Sequence, residues 1–314
     1  MIPYLLSRKY YSTLPVKNYY VEKNLGPYLA GLIEGDGHIY TPSVLRNTDG
    51  KKIAPSIEIC FDIKDLPLFN KIKEVLGGGY ITLRHNNKSG RLFIKKKAIL
   101  LKLINLINGY MRTPKIEALH RIIEWFNNDS SDYKILPLGL DISPLDKNSW
   151  LAGFIDADGN FYLSWKFSAN SKSLDKKLIS VIYYLRLSQR QIYSRKIDPN
   201  IKVSNLDIMF KISELLKTSV ISINRKKVNY EENAYLIRTD KIESKVAIFT
   251  YLNKYPLFGY KYFAHVNLSM IHNLIIKSEH KTIMGKLKFL EYANLMKYNP
   301  EIHNWEHLNK FYVI

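Results

Sequence analysis

Cysteine is almost missing from this 314-residue chain: Cys60 stands alone, which excludes an intrachain disulfide and any thiolate metal cluster. Nor is there an apolar run approaching the roughly 20 residues that a membrane-spanning helix needs, so no membrane role is expected. Acidic residues are in deficit, 28 Asp and Glu against 47 Lys and Arg, for a formal net charge of +19. That excess is not a tail, because 21 basic residues face 14 acidic ones up to Asp146 and 26 face 14 after it. A polyanion contacted along the whole molecule explains such a distribution, and nucleic acid is the leading partner. A basic surface kept only for solubility is the plainer alternative. The opening MIPYLLSRKYYSTLPVK is basic, hydroxylated and poor in acids. It has no secretory pattern and fits an import signal or the remnant of an upstream fusion. Lysine exceeds arginine 36 to 11 and there are 23 tyrosines, a bias of AT-rich coding DNA.

What the chain does contain is a repeat. LAGLIEGDG, from Leu29 to Gly37, returns as LAGFIDADG, from Leu151 to Gly159. A repeat of this kind points to duplication before any other architecture, and 46% hydrophobic residues suffice for a core. After an N-terminal arm, LGPYLAGLIEG reads as a short helix with Pro27 in its first turn. HIYTPSVL and PSIEICFDI read as strands, the second with Ile57, Ile59 and Phe61 on one face and Glu58, Cys60 and Asp62 on the other. KDLPLFNKIKEVLGG is an amphipathic helix stopped by glycines. YITLRHN and GRLFIKK are strands about the turn NNKSG, and AILLKLINLINGYM and KIEALHRIIEWF are helices. The same order recurs after a turn-rich linker: NSWLAGFIDA, then FYLSWKF, LISVIYYLRLSQRQIY as one long strand, SNLDIMFKISELL, VISINRKK, AYLIRT and closing helices. The expected fold class is therefore α+β, a pseudo-twofold duplicated αββαββα fold with two antiparallel β-saddles. Its segments are an arm (1–24), a first subdomain (25–126), a linker (127–149), a second subdomain (150–280) and a C-terminal helical extension (281–314) that braces the second half.

Each four-stranded sheet, covered by helices on one face, leaves a polar face open. The alternation assigns Thr82, Arg84, Arg91 and Lys95 to that face in the first half. In the second it assigns Tyr162, Lys166, Tyr184, Arg186, Arg190, Asn224, Lys226 and Arg238. Two such sheets side by side make a long positive saddle suited to duplex DNA. Within the repeated phrase, Gly31 and Gly35, matched by Gly153 and Ala157, let two helices approach closely. The acids after their ends, Asp36 and Asp158, then become neighbours across a pseudo-twofold axis. Two carboxylates at the negative ends of two helices repel and are best tolerated with divalent cations between them. Oxygen donors without Cys or clustered His suit Mg²⁺, which supports phosphodiester hydrolysis. Glu34 and Asp156, two residues earlier, are expected to cap, pair or face solvent.

The two phrases and the element order, from about Leu25 to beyond Ile275, resemble the LAGLIDADG homing endonuclease family in its single-chain, two-repeat, intron-encoded form. The resemblance implies a monomer that lays its β-saddles in the major groove of a long double-stranded DNA target. It implies cleavage across the minor groove with Mg²⁺ to leave 3′ overhangs, with Mn²⁺ or Ca²⁺ able to occupy the site experimentally, and a role in intron homing. Carried onto this chain, it makes Asp36 and Asp158 the metal-binding acids, with the carbonyls of Gly35 and Ala157 as further ligands. It matches Lys115 and Lys261 to basic residues near the scissile phosphates, and Gln189 and Asp62 to a polar position at the end of the second strand. Asp62 departs from the family's usual Gln and also fits a helix cap. The family's second activity, an RNA maturase assisting splicing of its host intron, remains an alternative or additional role. A transcription regulator would have no use for two intact acids. The basic N terminus, the AT bias and the resemblance together point to the mitochondrion, with chloroplast or microbial origin left open.

Overall fold

The computed structural model describes residues 19–44, 46–51, 53–84, 88–129, 134–168, 177–194, 200, 202–226 and 230–312, and for 19–22 the backbone only. The basic opening, residues 1–17, and the tip of the NNKSG turn lie outside these residues. The first half runs α1 (Tyr19–Asp36), β1 (Gly37–Tyr40), β2 (Ser56–Asp62), α2 (Leu66–Leu76), β3 (Tyr80–Leu83), β4 (Ser89–Ile94), α3 (Lys97–Ile107) and α4 (Ile116–Asp129). The second runs α5 (Trp150–Asp158), β5 (Gly159–Phe167), β6 (Leu178–Arg190), β7 (Ile192–Ser194), β8 (Lys202–Ser204), α6 (Leu206–Leu215), β9 (Val220–Lys226), β10 (Glu231–Arg238), α7 (Ile242–Lys254) and α8 (Lys261–Ile276). An additional helix, α9 (Ile283–Leu295), follows. The α+β class and its two antiparallel sheets are those expected, with strand orders β1-β2-β4-β3 and β5-β6-β10-β9.

Local chemistry accounts for these elements. In β2 the buried Ile57, Ile59 and Phe61 alternate with half-buried Glu58 and Cys60 and exposed Asp62, the period of two that a one-sided sheet requires. In α2, Leu68, Phe69, Ile72 and Leu76 form the buried stripe. The helix stops at Gly77, whose φ of +81° suits a residue without Cβ. There the N–H groups of Gly77 and Gly78 donate to the carbonyls of Glu74 and Lys73. One continuous apolar core joins both halves, running from Leu25, Leu29 and Ile33 of α1 through Leu151 and Phe154 of α5 to Leu185 and Leu187 of β6.

Three local expectations are corrected and a fourth is extended. Helix α1 begins at Tyr19, inside the stretch read as an arm, so Pro27 lies within the helix instead of in its first turn. The burial of Leu25, Tyr28 and Leu29 holds the helix across the missing proline N–H. The expected strand HIYTPSVL ends at Tyr40. The long strand β6 stops at Arg190, and Ile192–Ser194 turns away to pair with Lys202–Ser204 in a separate two-stranded hairpin. Finally, the C-terminal extension braces the second half as expected, with Phe289 and Ala293 of α9 packed on Ile271 and Leu274 of α8, but it also reaches the first: Phe311 and Tyr312 pack edge-on against Tyr28 of α1 as well as Phe258.

Candidate active site

Helices α1 and α5 meet along their small residues. A Cβ on Gly31 would lie 2.0 Å from the carbonyl oxygen of Trp150, and one on Gly153 would lie 2.0 Å from that of Tyr28. Nothing larger than hydrogen fits at either position. Near the end of the seam, a Cβ on Gly35 would come within 2.3 Å of the Ala157 Cβ and 3.0 Å of Asp158 Oδ2. The helix ends are therefore in contact, and Asp36 and Asp158 terminate them at the mouth of the seam, where β1 and β5 begin.

Both acids are held against their own charge. Burial, and then Asp158, push the Asp36 carboxyl up to about 7, against the pull of Lys261 and Lys115. Burial also raises Asp158, opposed by Lys261, by a hydrogen bond from Gln189, and by Lys115 and Arg225. Asp36 is nevertheless an exposed residue by its surface area, so water screens much of this effect, and what stands is the direction, which follows from two acids at two negative helix ends. Lys115 Nζ donates to the carbonyls of Ile33 (3.0 Å), Glu34 (2.6 Å), Gly37 (3.0 Å) and, more weakly, Gly35 (3.5 Å). Lys261 Nζ donates likewise to Ile155 (3.2 Å), Asp156 (2.8 Å) and Ala157 (2.7 Å). Each lysine thus caps the C terminus of its own motif helix, where a cation offsets the helix dipole. The Gly35 and Ala157 carbonyls, expected as metal ligands, accept from these ammonium groups here. Among the described residues no cluster of three or more His, Cys, Asp or Glu is placed to cage an ion. Two carboxylates with the remaining positions left to water and phosphate is nevertheless how Mg²⁺ is commonly held, so the donor set fits that ion.

Of the expectations that Glu34 and Asp156 cap, pair or face solvent, capping is what the structure shows: they are buried at 4% and 5% exposure, and which turns they cap was not readable from the sequence. Glu34 accepts from the backbone N–H of Arg112 (2.9 Å) and Thr113 (2.5 Å), the Thr113 hydroxyl (2.6 Å) and the Trp150 indole (2.5 Å). Asp156 accepts from the Tyr28 hydroxyl (2.7 Å) and the N–H groups of Phe258 (2.8 Å) and Gly259 (3.3 Å). Asp65, also buried, accepts from Tyr260 N–H at 2.6 Å. Two sequence signals were available: the matched spacing from Arg112 to Lys115 and from Phe258 to Lys261, and an acid at the sixth place of both phrases.

A pH dependence follows. Burial raises Asp65 to about 7, so the folded state keeps a proton that the unfolded chain releases near pH 4. Its contribution to stability is fullest at low pH and is lost as pH rises through 7; burial pushes Glu34 the same way, against the donors from Thr113, Trp150 and Arg112 that favour its charged form. His265 and His307, lowered to about 4 by burial, act oppositely, but only below about pH 6.5. Thermal unfolding in chelator is therefore expected to show a midpoint that falls between pH 6.5 and 8; a rising midpoint would contradict it.

Gln189 and Asp62 part company in the structure. The Gln189 side-chain amide donates to Asp158 Oδ2. Asp62 instead caps the turn after β2, accepting from Lys64 N–H at 3.0 Å. The registers give the reason. Gly37 pairs with Ile59 and Gly159 with Leu187, so the residue matching Gln189 is Phe61, which is buried and stacked on Phe69. Asp62 falls on the opposite face, and Asp158 has an amide partner that Asp36 lacks by register. A cleft of about 350 Å³ beside Asp158 is lined by residues of both halves, among them Lys115, Gln189, Arg190 and Arg225.

The sheet registers also sort the expected DNA-contacting residues, because directly paired residues share a face. Thr82 pairs with Arg91, Arg84 N–H bonds to Ser89, and Lys95 lies over the rings of Tyr80 and Phe93, so all four first-half residues occupy the open face. In the second half Tyr162 pairs with Tyr184, Lys166 with Ser180 and Arg238 with Arg186, and Arg190 shares that parity. Tyr162 and Tyr184 stack at 4.9 Å, with the Arg238 guanidinium over the Tyr184 ring. Asn224 and Lys226 are corrected. Asn224 pairs with Asn233 and Lys226 with Glu231, which have the parity of the inward Ile237. The intervening Arg225 pairs with Glu232 and donates to Ser188 Oγ on the open face. An error of one residue inverts a strand's faces, and VISINRKK has no strong apolar alternation to prevent it.

Comparison with known proteins agrees with this architecture. The family model for the LAGLIDADG endonuclease matches residues 29–126 and again 151–272. The intron-encoded DNA endonuclease aI3 of Saccharomyces cerevisiae is 30% identical over 317 residues, covering 92% of this chain and 73% of that protein. The intron-encoded RNA maturase bI4 of the same yeast is 30% identical over 201 residues, 61% of this chain but only 28% of the maturase. Among solved structures, the I-LtrWI LAGLIDADG homing endonuclease bound to target DNA superimposes with a TM-score of 0.59 at 18% identity, covering 88% of this chain and 98% of that one. I-SmaMI bound to uncleaved DNA in the presence of calcium ions gives 0.57 at 17% identity, covering 88% and 100%. The repeated phrase, the seam it builds and the twofold match of the family model show that this chain belongs to the LAGLIDADG endonuclease family.

Proposed function

We propose that the protein is a site-specific double-stranded DNA endonuclease of the intron-homing kind, acting as a monomer and hydrolysing phosphodiesters to leave 3′ overhangs. The observation that carries this reading is the pair Asp36 and Asp158, brought to the mouth of one helix seam between two basic sheet faces. Asp36 and Asp158 would hold the divalent ion, Mg²⁺ by donor type, which when bound supplies Lewis-acid activation of phosphate and water. The chain's own groups do the rest. Gln189 fixes one oxygen of Asp158, which lines the cleft with it. Lys115 and Lys261, held as ammonium groups on the helix ends, supply fixed positive charge for the phosphate charge that develops during hydrolysis. Arg84, Arg91, Arg186, Arg190, Arg225 and Arg238 supply phosphate and base-edge contacts along the saddles.

Selection of cleaved duplexes from a randomised library, with Mg²⁺ and with chelator, tests activity and target together; folded protein that cuts no sequence with Mg²⁺ or Mn²⁺ would sink the reading. The sheet register carries its own test. Arg225→Ala is expected to weaken duplex binding and to reduce the salt slope by about 1, while Lys226→Ala has the smaller effect on both. The reverse ranking would restore the inward assignment of Arg225.

A second reading, RNA maturase activity on the host intron, is favoured by the likeness to the bI4 maturase. Persistence of splicing after deletion of the protein would exclude it. We place the protein in mitochondria on its likeness to fungal intron-encoded proteins, one of them a cox1 intron protein of Schizosaccharomyces pombe. No described helix is long and apolar enough to cross a membrane.

A further inference from the structure

The sixth residue of each motif copy, Glu34 or Asp156, does something that the metal-facing eighth residue does not. It reaches sideways from the helix and holds the turn that carries that helix's lysine. In the first half the turn is Arg112-Thr113-Pro114-Lys115, and in the second it is Phe258-Gly259-Tyr260-Lys261. The first two N–H groups of each turn point at the buried acid, at 2.9 and 2.5 Å in one half and 2.8 and 3.3 Å in the other. Each acid is also gripped by the opposite motif helix, Glu34 by the Trp150 indole and Asp156 by the Tyr28 hydroxyl. Tyr28 and Trp150 occupy the same place relative to the two phrases, so the arrangement obeys the pseudo-twofold axis. Two such grips at matching positions are hard to ascribe to chance packing, since an isolated buried carboxylate is costly.

We propose that Glu34 and Asp156 are positioning residues for the reaction: each sets the Nζ of Lys115 or Lys261 on its helix end by anchoring the lysine's turn. The proposal takes its catalytic consequence from the nuclease reading, but its geometric content stands apart from it. Every partner of each carboxylate is a donor, so an amide in its place would turn an NH₂ toward N–H groups. The turn loses its anchor, and with it the lysine its register on the helix carbonyls. The halves differ in one respect. Tyr260 N–H finds a third anchor in Asp65 of the first half at 2.6 Å, whereas Pro114 has no N–H to offer. In its place, the first-half turn is braced by Arg112, whose guanidinium is nearly fully buried against Asp141 at 2.5 Å and the Ser143 carbonyl at 2.6 Å.

Pulsed acetylation of the full-length, metal-free protein, read by mass spectrometry, reports how firmly each ammonium is held. Glu34→Gln is expected to raise labelling of Lys115 about tenfold, the change expected from losing one or two hydrogen bonds, and to leave Lys261 as it was. Asp156→Asn should do the converse. Thr113→Val removes a hydroxyl that donates to Glu34 and also accepts from Lys115 N–H. Tyr28→Phe, which removes only the hydroxyl on Asp156, and Asp65→Asn, which loosens the Lys261 turn, are the cleaner pair. These milder variants should give smaller rises confined to the same lysine, and they carry the test if the amide variants fail to fold. Equal rises at both lysines, or none in any folded variant, overturn the proposal. On a cleaved duplex each amide variant should slow one strand more than the other. If labelling changes selectively but wild-type protein cuts no DNA, the positioning stands and the nuclease reading falls.

Discussion

Asp36→Asn and Asp158→Asn are each expected to lower the cleavage rate by about 10³-fold or more, the scale of losing a charged group that acts on the transition state. Duplex affinity should hold or rise, because a negative charge facing the phosphates is removed. The expected sign on stability is also distinctive. Both carboxyls are raised by burial, and Asp36 additionally by its partner, so the metal-free variants should melt at or above the wild-type temperature near pH 8. Wild type alone should gain stability from added Mg²⁺, since a ligand that binds only the folded state stabilises it by mass action. A catalytically dead variant that is also unstable would mean that the acid is structural. One retaining a tenth of the activity would place the metal chemistry elsewhere.

The second large effect is structural. Gly31→Ala and Gly153→Ala each drive a methyl to about 2.0 Å from a backbone carbonyl oxygen of the facing helix, and backbone cannot swing aside as a flexible side chain can. A loss of about 3 kcal/mol is expected for either, at the upper end for overpacking, and urea unfolding measures it. Gly35→Ala meets a methyl instead, the Cβ of Ala157, so the double substitution Gly35→Ala with Ala157→Gly should recover most of the loss. Failure of that recovery would mean that the seam tolerates only one handedness of packing. Activity should follow stability for Gly31→Ala and Gly153→Ala, because the seam is what brings Asp36 and Asp158 together, whereas Gly35→Ala also sets its methyl 3.0 Å from Asp158 Oδ2 and should lose activity beyond its loss of stability.

Periodicity and the repeat made the core architecture readable. Ile57, Ile59 and Phe61 alternate cleanly with polar neighbours because one face of that strand meets a core and the other does not. The glycines of the two phrases announced a close helix crossing for a similarly local reason. Strand β9 was unreadable in the same way: its residues have no sustained apolar alternation, so parity depended on pairing with β10, and Arg225 was passed over for its neighbours. Asp62 failed for a related reason, since a polar residue at a strand end looks the same whether it faces a site or caps the next turn.

Chain chemistry alone determined the duplication, the paired acids after the motif helices, the basic character of both halves and the alternation that builds two sheets. These are consequences of residue type and local spacing, which need no distant partner. The tertiary structure decided which acids do what. Glu34 and Asp156 became anchors only because turns some 78 and 102 residues further along the chain fold back to present N–H groups to them. Lys115 and Lys261 became helix caps by the same closure. Gln189, not Asp62, meets the acid at the end of a motif helix because strand register, a long-range property, sets which side chains share a face.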